Sequence, residues 1–121
     1  GTVFSCGAGS GGILGFRPPS SFVDRFTQIS TLKSKNIISI GCGLAHTIFL
    51  EDNGKAYGCG LNIDSQLGLL DEIIDTPTII PISNPIGSIA CKNKSTLCLD
   101  TDGSIWVFGS DEFGEIGSST L

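Results

Sequence analysis

Two residues near the middle of the chain, Cys42 and His46, are of the types that form a nucleophile and its general base. A thiolate attacks a carbonyl carbon once an imidazole has removed its proton, so this pair is the candidate machinery of a thiol hydrolase. The two residues flank a Gly-rich turn, however, and a separation of four along a strand-turn-strand path does not ensure contact. We therefore expect His46 to be a structural residue that bonds the neighbouring backbone of a hairpin, and we rank thiol hydrolysis as the weakest alternative.

A glycine-rich segment near the start, residues 7–12, has the pattern G-x-G-x-x-G of a dinucleotide-binding loop. That loop requires a following helix whose N-terminus faces the pyrophosphate. Pro18 and Pro19 interrupt any such helix here. The segment is therefore predicted to be a turn, and no cofactor is expected.

The five cysteines show no metal-binding pattern, because none of them forms the short C-x-x-C pair that structural zinc sites use. An odd number also leaves at least one thiol unpaired within the chain. We expect buried, reduced thiols that act as small apolar side chains, and no catalytic or metal site.

Carboxylates cluster in two loops that follow aromatic strands, and three interpretations of them stay open. They form a solvated loop, an acidic surface for a basic partner, or a calcium site, although the D-x-D-x-D-G run of a calcium loop is absent. The loops in question are predicted at 61–66, 69–76 and 110–115. The candidate partner-binding residues are Asn62, Asp64, Asp71, Glu72, Asp75, Asp111, Glu112 and Glu115.

The overall charge is acidic, with 12 Asp and Glu against 7 Lys and Arg and a formal net charge of −5. This balance repels a phosphate backbone, so no nucleic-acid partner is expected. The sequence contains neither a long apolar run nor a secretory signal, so we expect no membrane partner and an intracellular location, cytoplasmic or nuclear.

The elements that must position these residues repeat along the chain. Residues 56–68 match residues 105–117 at a constant offset, and residues 3–15 match both more loosely. Many glycines occupy equivalent turns of the repeat. The structural repeat positions are Gly43, His46, Gly54, Gly60, Gly68, Gly103, Gly109 and Gly117.

Each repeat is predicted to contain four short strands, because β-branched and apolar runs alternate with Gly-rich turns. Asn53-Gly54 is a hairpin signal, and Pro81 is assigned to an outer strand, where its missing N–H faces no partner. The sequence therefore predicts an all-β fold of antiparallel, four-stranded β-propeller blades. The four strands of the complete repeat are predicted at 37–40, 46–50, 55–59 and 78–82.

Residues 41–50, followed by Asn53-Gly54, Tyr57–Gly60 and Gln66–Gly68, resemble the repeat of the regulator of chromosome condensation family. The resemblance implies an incomplete propeller ring over 1–121, with about 2.4 repeats of roughly fifty residues. Its parts are a partial first blade at 1–36, a complete blade at 37–85, and a last blade at 86–121 without its outer strand.

The leading functional prediction is a non-catalytic protein-interaction scaffold whose rim loops contact a protein partner. The alternative, implied by the resemblance, is part of a guanine-nucleotide exchange factor that presses its loops against a small GTPase. Self-association of copies that completes a ring is a further expectation, since a blade cannot bury both faces alone.

Overall fold

In the computed structural model, residues 1–110 are described, and within this range nine strands form three separate sheets. Two short 3₁₀ turns, Ser10–Gly12 and Ser30–Leu32, lie in the connections. The strands are β1 (Phe4–Ala8), β2 (Phe22–Gln28), β3 (Ile37–Cys42), β4 (His46–Glu51), β5 (Ala56–Leu61), β6 (Ile73–Ile79), β7 (Ile86–Lys92), β8 (Ser95–Asp100) and β9 (Ile105–Gly109).

All pairings within the three sheets are antiparallel. The first sheet contains β1 and β2, the second has the order β3-β4-β5-β6, and the third has the order β7-β8-β9. Each of the three sheets follows the chain in simple up-and-down order, which is the arrangement of a propeller blade. The prediction of an all-β fold with antiparallel four-stranded blades is confirmed.

The outer strand of the second sheet differs from its prediction. Residues 78–82 were expected to form it, whereas β6 begins at Ile73 and ends at Ile79. Its ladder pairs Leu61 with Ile73 and Tyr57 with Ile79, so the preceding β-branched residues belong to the strand and Pro81 lies beyond it. The edge position of β6 accommodates the proline it does contain, Pro77.

Two clusters of buried side chains hold the sheets together, and β4 contributes to both. Ile48 and Leu50 pack towards the third sheet with Ile86 and Cys98, whereas Phe49 packs towards the first sheet with Ile29. Both faces of this strand are therefore covered, which explains its unbroken apolar sequence. Full burial of each such side chain stabilises the fold by about 1.5–3 kcal/mol.

Two glycines at equivalent repeat positions lie where a side chain would collide with an inner hairpin. A Cβ on Gly60, at φ +110°, would overlap the carbonyl oxygen of Ala45, and one on Gly109, at φ +105°, would overlap that of Lys94. Gly7, their equivalent in the first sheet, has a similar φ of +112° but open space around its Cβ position. The close approach therefore depends on an inner hairpin beside the strand.

Within residues 1–110, no helix has the length and apolar character needed to cross a membrane.

Candidate partner-binding site

Three connections meet at one edge of the second and third sheets, and we call residues 43–45, 62–72 and 93–94 the loop rim. The backbone N–H of Leu44 donates to the carbonyl of Asn93 at 2.8 Å, which joins the two hairpin turns. The N–H of Leu61 donates to the carbonyl of Ala45 at 2.8 Å, which joins the first turn to the start of the long loop. The rim is therefore one continuous surface across two sheets.

Asn62, a candidate partner-binding residue, lies inside the rim and is only 4% exposed. Its Nδ2 donates to the carbonyls of Leu69 and Asp71 at 2.6 and 2.8 Å, and its Oδ1 accepts the N–H of Leu67 at 2.8 Å. A buried amide with this many partners fixes the backbone around it. Asn62 therefore shapes the loop and does not present a side chain at the surface, contrary to its assignment from sequence.

Gln66 is a second buried residue of the long loop, and the sequence analysis treated it only as part of a repeat motif. Its Oε1 accepts the N–H of Asp64 at 2.9 Å, and its carbonyl oxygen accepts the hydroxyl of Thr96 at 2.6 Å. The first bond holds the loop from within, and the second ties it to β8. Recurrence of Gln66-Leu67-Gly68 in the third repeat as Glu115-Ile116-Gly117 was the available signal.

The carboxylates expected on the rim differ in their surroundings. Asp71 and Glu72 are exposed on the long loop, and the Oδ2 of Asp64 lies 3.7 Å from the Nζ of Lys94. This ion pair joins two partly exposed side chains, so its contribution to stability is small. Asp64, Asp71 and Glu72 are the three carboxylates of the long loop.

Asp75 does not belong to a loop, because residues 73–76 are part of β6. Its Oδ2 accepts a hydrogen bond of 2.6 Å from the Nε of Arg17, and this bond is the main reason that the pKa of Asp75 is lowered. The carboxylate is thus already paired within the chain. The remaining predicted positions, Asp111, Glu112, Glu115 and Gly117, lie outside the described residues.

His46 is 1% exposed and contacts the next sheet instead of its own hairpin backbone. Its Nε2 lies 2.9 Å from the hydroxyl oxygen of Thr96 on β8. Because the hydroxyl proton of Thr96 goes to the carbonyl of Gln66, the hydroxyl accepts the Nε2–H of His46. His46 therefore makes a side-chain hydrogen bond between sheets in place of the predicted bond to neighbouring backbone. The sequence pattern within one repeat cannot reveal such a bond.

The environment of His46 favours the neutral form of its imidazole. Burial lowers its pKa, and the backbone of Ser95 opposes this effect only in part. Nδ1 is buried, and no atom of residues 1–110 is a hydrogen-bond partner for it. The Nε2 atom is committed to Thr96, and within residues 1–110 no hydrogen bond joins His46 to Cys42, so the geometry gives no support to a nucleophile–base pair.

The five cysteines are all free, and they occupy three kinds of environment, with Cys91 only partly buried. Cys59 and Cys98 are fully buried, and burial raises their pKa values to about 12 and about 11. Cys6 and Cys42 are exposed and line the cleft between the first and second sheets, which corrects the prediction of uniformly buried thiols. Across the described range, no three His, Cys, Asp or Glu side chains converge as a metal site would require.

The glycine-rich segment forms a turn, as predicted. It contains the 3₁₀ turn Ser10–Gly12, and the structure passes from there to β2 without a helix. A Cβ on Gly12 would lie 2.6 Å from the carbonyl oxygen of Ile74, so this glycine allows close packing against β6.

A carboxylate–aromatic pair that was not predicted from the sequence recurs in the second and third sheets. The hydroxyl of Tyr57 donates to the Oε1 of Glu51 at 2.8 Å, and the indole N–H of Trp106 donates to the Oδ2 of Asp100 at 2.9 Å. The two pairs occupy equivalent positions in the repeat, so the constant offset was the signal that would have found them. Both are local structural pairs.

Comparison with known proteins identifies the repeat. Two family models, both described as "Regulator of chromosome condensation (RCC1) repeat", match the chain, one over residues 1–50 and the other over residues 37–66 and 87–115. The chain is 32% identical over 95 residues to "Protein RCC2 homolog" of Xenopus laevis, covering 76% of this chain and 18% of that protein. It is 32% identical over 118 residues to "Secretion-regulating guanine nucleotide exchange factor" of Bos taurus, covering 95% of this chain and 25% of that protein.

A solved structure shows the same fold at low sequence identity. Prp20p of Saccharomyces cerevisiae, a protein described with its binding properties to Gsp1p and histones, superposes with a TM-score of 0.88 at 17% identity. The match covers 99% of this chain and 32% of Prp20p. The chain thus spans about a third or less of these proteins. Its sheets, its recurring glycines and these matches show that it belongs to the regulator of chromosome condensation (RCC1) repeat family.

Proposed function

We propose that this chain is a non-catalytic scaffold that binds a protein partner through the loop rim. The observation that carries the proposal is the construction of the long loop, residues 62–72. Buried Asn62 and Gln66 hold its backbone by hydrogen bonds, while Leu70, Asp71 and Glu72 are exposed. A surface loop that is rigid before binding loses little conformational entropy when a partner docks.

The buried histidine and the two fully buried cysteines support a non-catalytic role. His46 donates its Nε2–H to Thr96, and the buried thiols of Cys59 and Cys98 are protonated at neutral pH. These groups contribute to packing between sheets rather than to an accessible reaction centre.

The second candidate function is participation in guanine-nucleotide exchange on a small GTPase. It rests on the similarity to the exchange factor of Bos taurus and to Prp20p, a protein described with its binding properties to Gsp1p. In that function the rim would press against the GTPase and weaken its hold on the nucleotide. No acid–base group is required, so the same loops would serve both candidate functions.

We retain four further expectations as parts of this proposal. The chain is divided into a partial blade at 1–36, a complete blade at 37–85 and a last blade at 86–121, and copies associate to complete a ring. The scaffold acts inside the cell, in the cytoplasm or nucleus, where free thiols persist. Its partner is a protein and not a nucleic acid, because the net charge is −5.

Purified Gsp1p and core histones are suitable probes for the two candidate functions. We expect the full chain to bind one of them in a titration followed by fluorescence anisotropy, and not to accelerate release of labelled GDP from Gsp1p. Accelerated release would establish the exchange function instead. Failure to bind either probe would contradict the proposed scaffold function for the partners that Prp20p binds. Light scattering on the same sample tests ring formation, since a mass of 12.6 kDa would rule out self-association.

A further inference from the structure

The exposed large apolar side chains of residues 1–110 fall into two groups. Most lie on strands, where an added strand or a neighbouring sheet is able to cover them. Leu44, Ile63 and Leu70 instead lie on the loop rim, at the ends of the sheets, with exposed fractions of 72%, 63% and 102%. These three lie in connections between strands and not on the strand faces that pack against a neighbouring sheet. Exposed apolar residues grouped on one surface are typical of protein interaction sites.

Two of these three apolar side chains line the same hollow. Leu44 from the β3–β4 turn and Ile63 from the long loop line a depression of about 190 Å³, together with Leu61, Asp64 and Lys94. The hollow thus combines an apolar wall with one carboxylate and one ammonium group. Its size suits part of a single large side chain and not an extended ligand.

Hydrogen bonds from backbone N–H groups hold three of the residues that line the hollow. Leu44 is held through its N–H by Asn93, Leu61 is held by Ala45, and the N–H of Asp64 is held by the side chain of Gln66 at 2.9 Å. Leu44 and Leu61 are therefore tied to the hairpin turns, and Asp64 is held within the long loop. A preformed hollow of this kind binds without a large ordering cost.

The charges around the hollow favour a basic partner. The long loop contains Asp64, Asp71 and Glu72 and has no Lys or Arg. The cation that faces Asp64 is Lys94, at 3.7 Å, and the side chains of the pair are 38% and 46% exposed. Because this ion pair is weak, a cation of a partner readily replaces Lys94 beside Asp64. Exposed carboxylates also accelerate the approach of basic segments.

We propose that the hollow between Leu44, Leu61 and Ile63 binds a protein segment in which one large apolar side chain is flanked by Lys or Arg. The apolar side chain enters the hollow, and the flanking cations pair with Asp64 and with the exposed carboxylates at 71 and 72. This proposal rests on the scaffold function and specifies its binding site and the chemistry of its partner.

The test uses a fluorescein-labelled peptide, Gly-Lys-Lys-Phe-Lys-Lys-Gly, and the full chain in an anisotropy titration. We expect Leu44→Ser with Ile63→Ser to weaken binding by about tenfold or more, which is the loss of about 1.4 kcal/mol from one apolar contact. The matched control is Phe22→Ser, at a residue that is 60% exposed on β2. It should leave binding unchanged. Peptides with Ser in place of Phe, or Glu in place of Lys, should also bind about tenfold more weakly or worse.

Equal binding by the wild type and the double variant would overturn the proposal, as would equal binding of the three peptides. A circular dichroism melt of each variant excludes unfolding, and Asp64→Asn provides a second variant that leaves the apolar wall intact. It should weaken binding and reduce the dependence on salt. If this peptide does not bind but Gsp1p or histones bind, the hollow is wrong and the scaffold stands. If none of them binds, both proposals are wrong.

Discussion

The imidazole Nε2 of His46 lies 2.9 Å from the hydroxyl oxygen of Thr96, and this hydrogen bond links the second sheet to the third. Thr96 continues the link by donating to the carbonyl of Gln66 in the loop rim, at 2.6 Å. All three residues are at most 3% exposed. The packing of adjacent blades and the shape of the candidate binding surface therefore depend on the same hydrogen-bond chain.

Thr96→Val tests this chain directly, because valine has nearly the shape of threonine but no hydroxyl. The substitution leaves the Nε2–H of His46 and the carbonyl of Gln66 buried without their partner, so we expect a loss of about 1–3 kcal/mol in the free energy of unfolding. Urea denaturation followed by circular dichroism provides the measurement. Thr78→Val, at an exposed position of β6, is the matched control and should change stability by less than about 0.5 kcal/mol. Equal effects of the two substitutions would show that the hydrogen bonds of Thr96 contribute nothing to stability.

Stability should decrease as the pH falls through the titration range of the single histidine. Burial lowers the pKa of His46 in the folded protein below its usual 6.5, so the unfolded chain binds the proton more readily. The stabilisation is then fully present above pH 6.5 and is lost below it, at no more than about 1.4 kcal/mol per pH unit. Urea denaturation at pH 8, 7, 6 and 5.5 measures the slope. The same dependence of stability on pH in His46→Gln would show that other groups cause it.

Asp100 should be a determinant of acid stability and of the environment of the single tryptophan. The hydrogen bond from Trp106, with further donation from Asn84 and from the backbone of Ser104 and Asp102, lowers the pKa of Asp100 to about 2. The stabilisation from this carboxylate is present above pH 3.8 and is lost as the pH falls towards 2.

We therefore expect Asp100→Ala to lower the urea midpoint at pH 7 and to shift the fluorescence emission of Trp106. Asp24→Ala, at an exposed position of β2, should do neither. An unchanged emission spectrum in Asp100→Ala would contradict the assigned pair.

Asn62→Ala should loosen the long loop while leaving the sheets intact. It removes three hydrogen bonds that hold the loop from within and leaves the carbonyls of Leu69 and Asp71 unpaired, a loss of about 1–3 kcal/mol. Amide hydrogen exchange measured by mass spectrometry should accelerate in residues 62–72. Asn53→Ala, in the exposed β4–β5 turn, serves as the control and should not affect that segment. Unchanged protection of the loop would show that Asn62 does not organise it.

Much of the fold follows from the sequence because a repeat reveals equivalent positions. The constant offset placed Gly60 and Gly109 at the same point of two blades, and both lie against an inner hairpin where a Cβ has no room. The boundary of β6 was missed, since the carboxylate of Asp75 was taken as a sign of a loop. On an edge strand, a charged side chain and Pro77 are both tolerated.

The candidate site was less predictable, because its contacts join segments that are distant along the chain. Asn62 is of a residue type that is common in surface loops, and only the closed shape of the loop places its amide inside. His46 was expected to bond within its own hairpin, but its partner Thr96 lies fifty positions further on. A pattern within one repeat carries no information about which residues of the next repeat will face it.

Hydrogen exchange on the full chain with purified Gsp1p or core histones shows whether the loop rim is a binding surface. We expect the partner that binds to slow amide exchange in residues 43–45 and 62–72 and to leave the β4–β5 turn at 52–55, at the opposite edge of the sheets, unchanged. Protection confined to the β4–β5 turn, or binding with no protection of the rim, would show that the rim is not the binding surface.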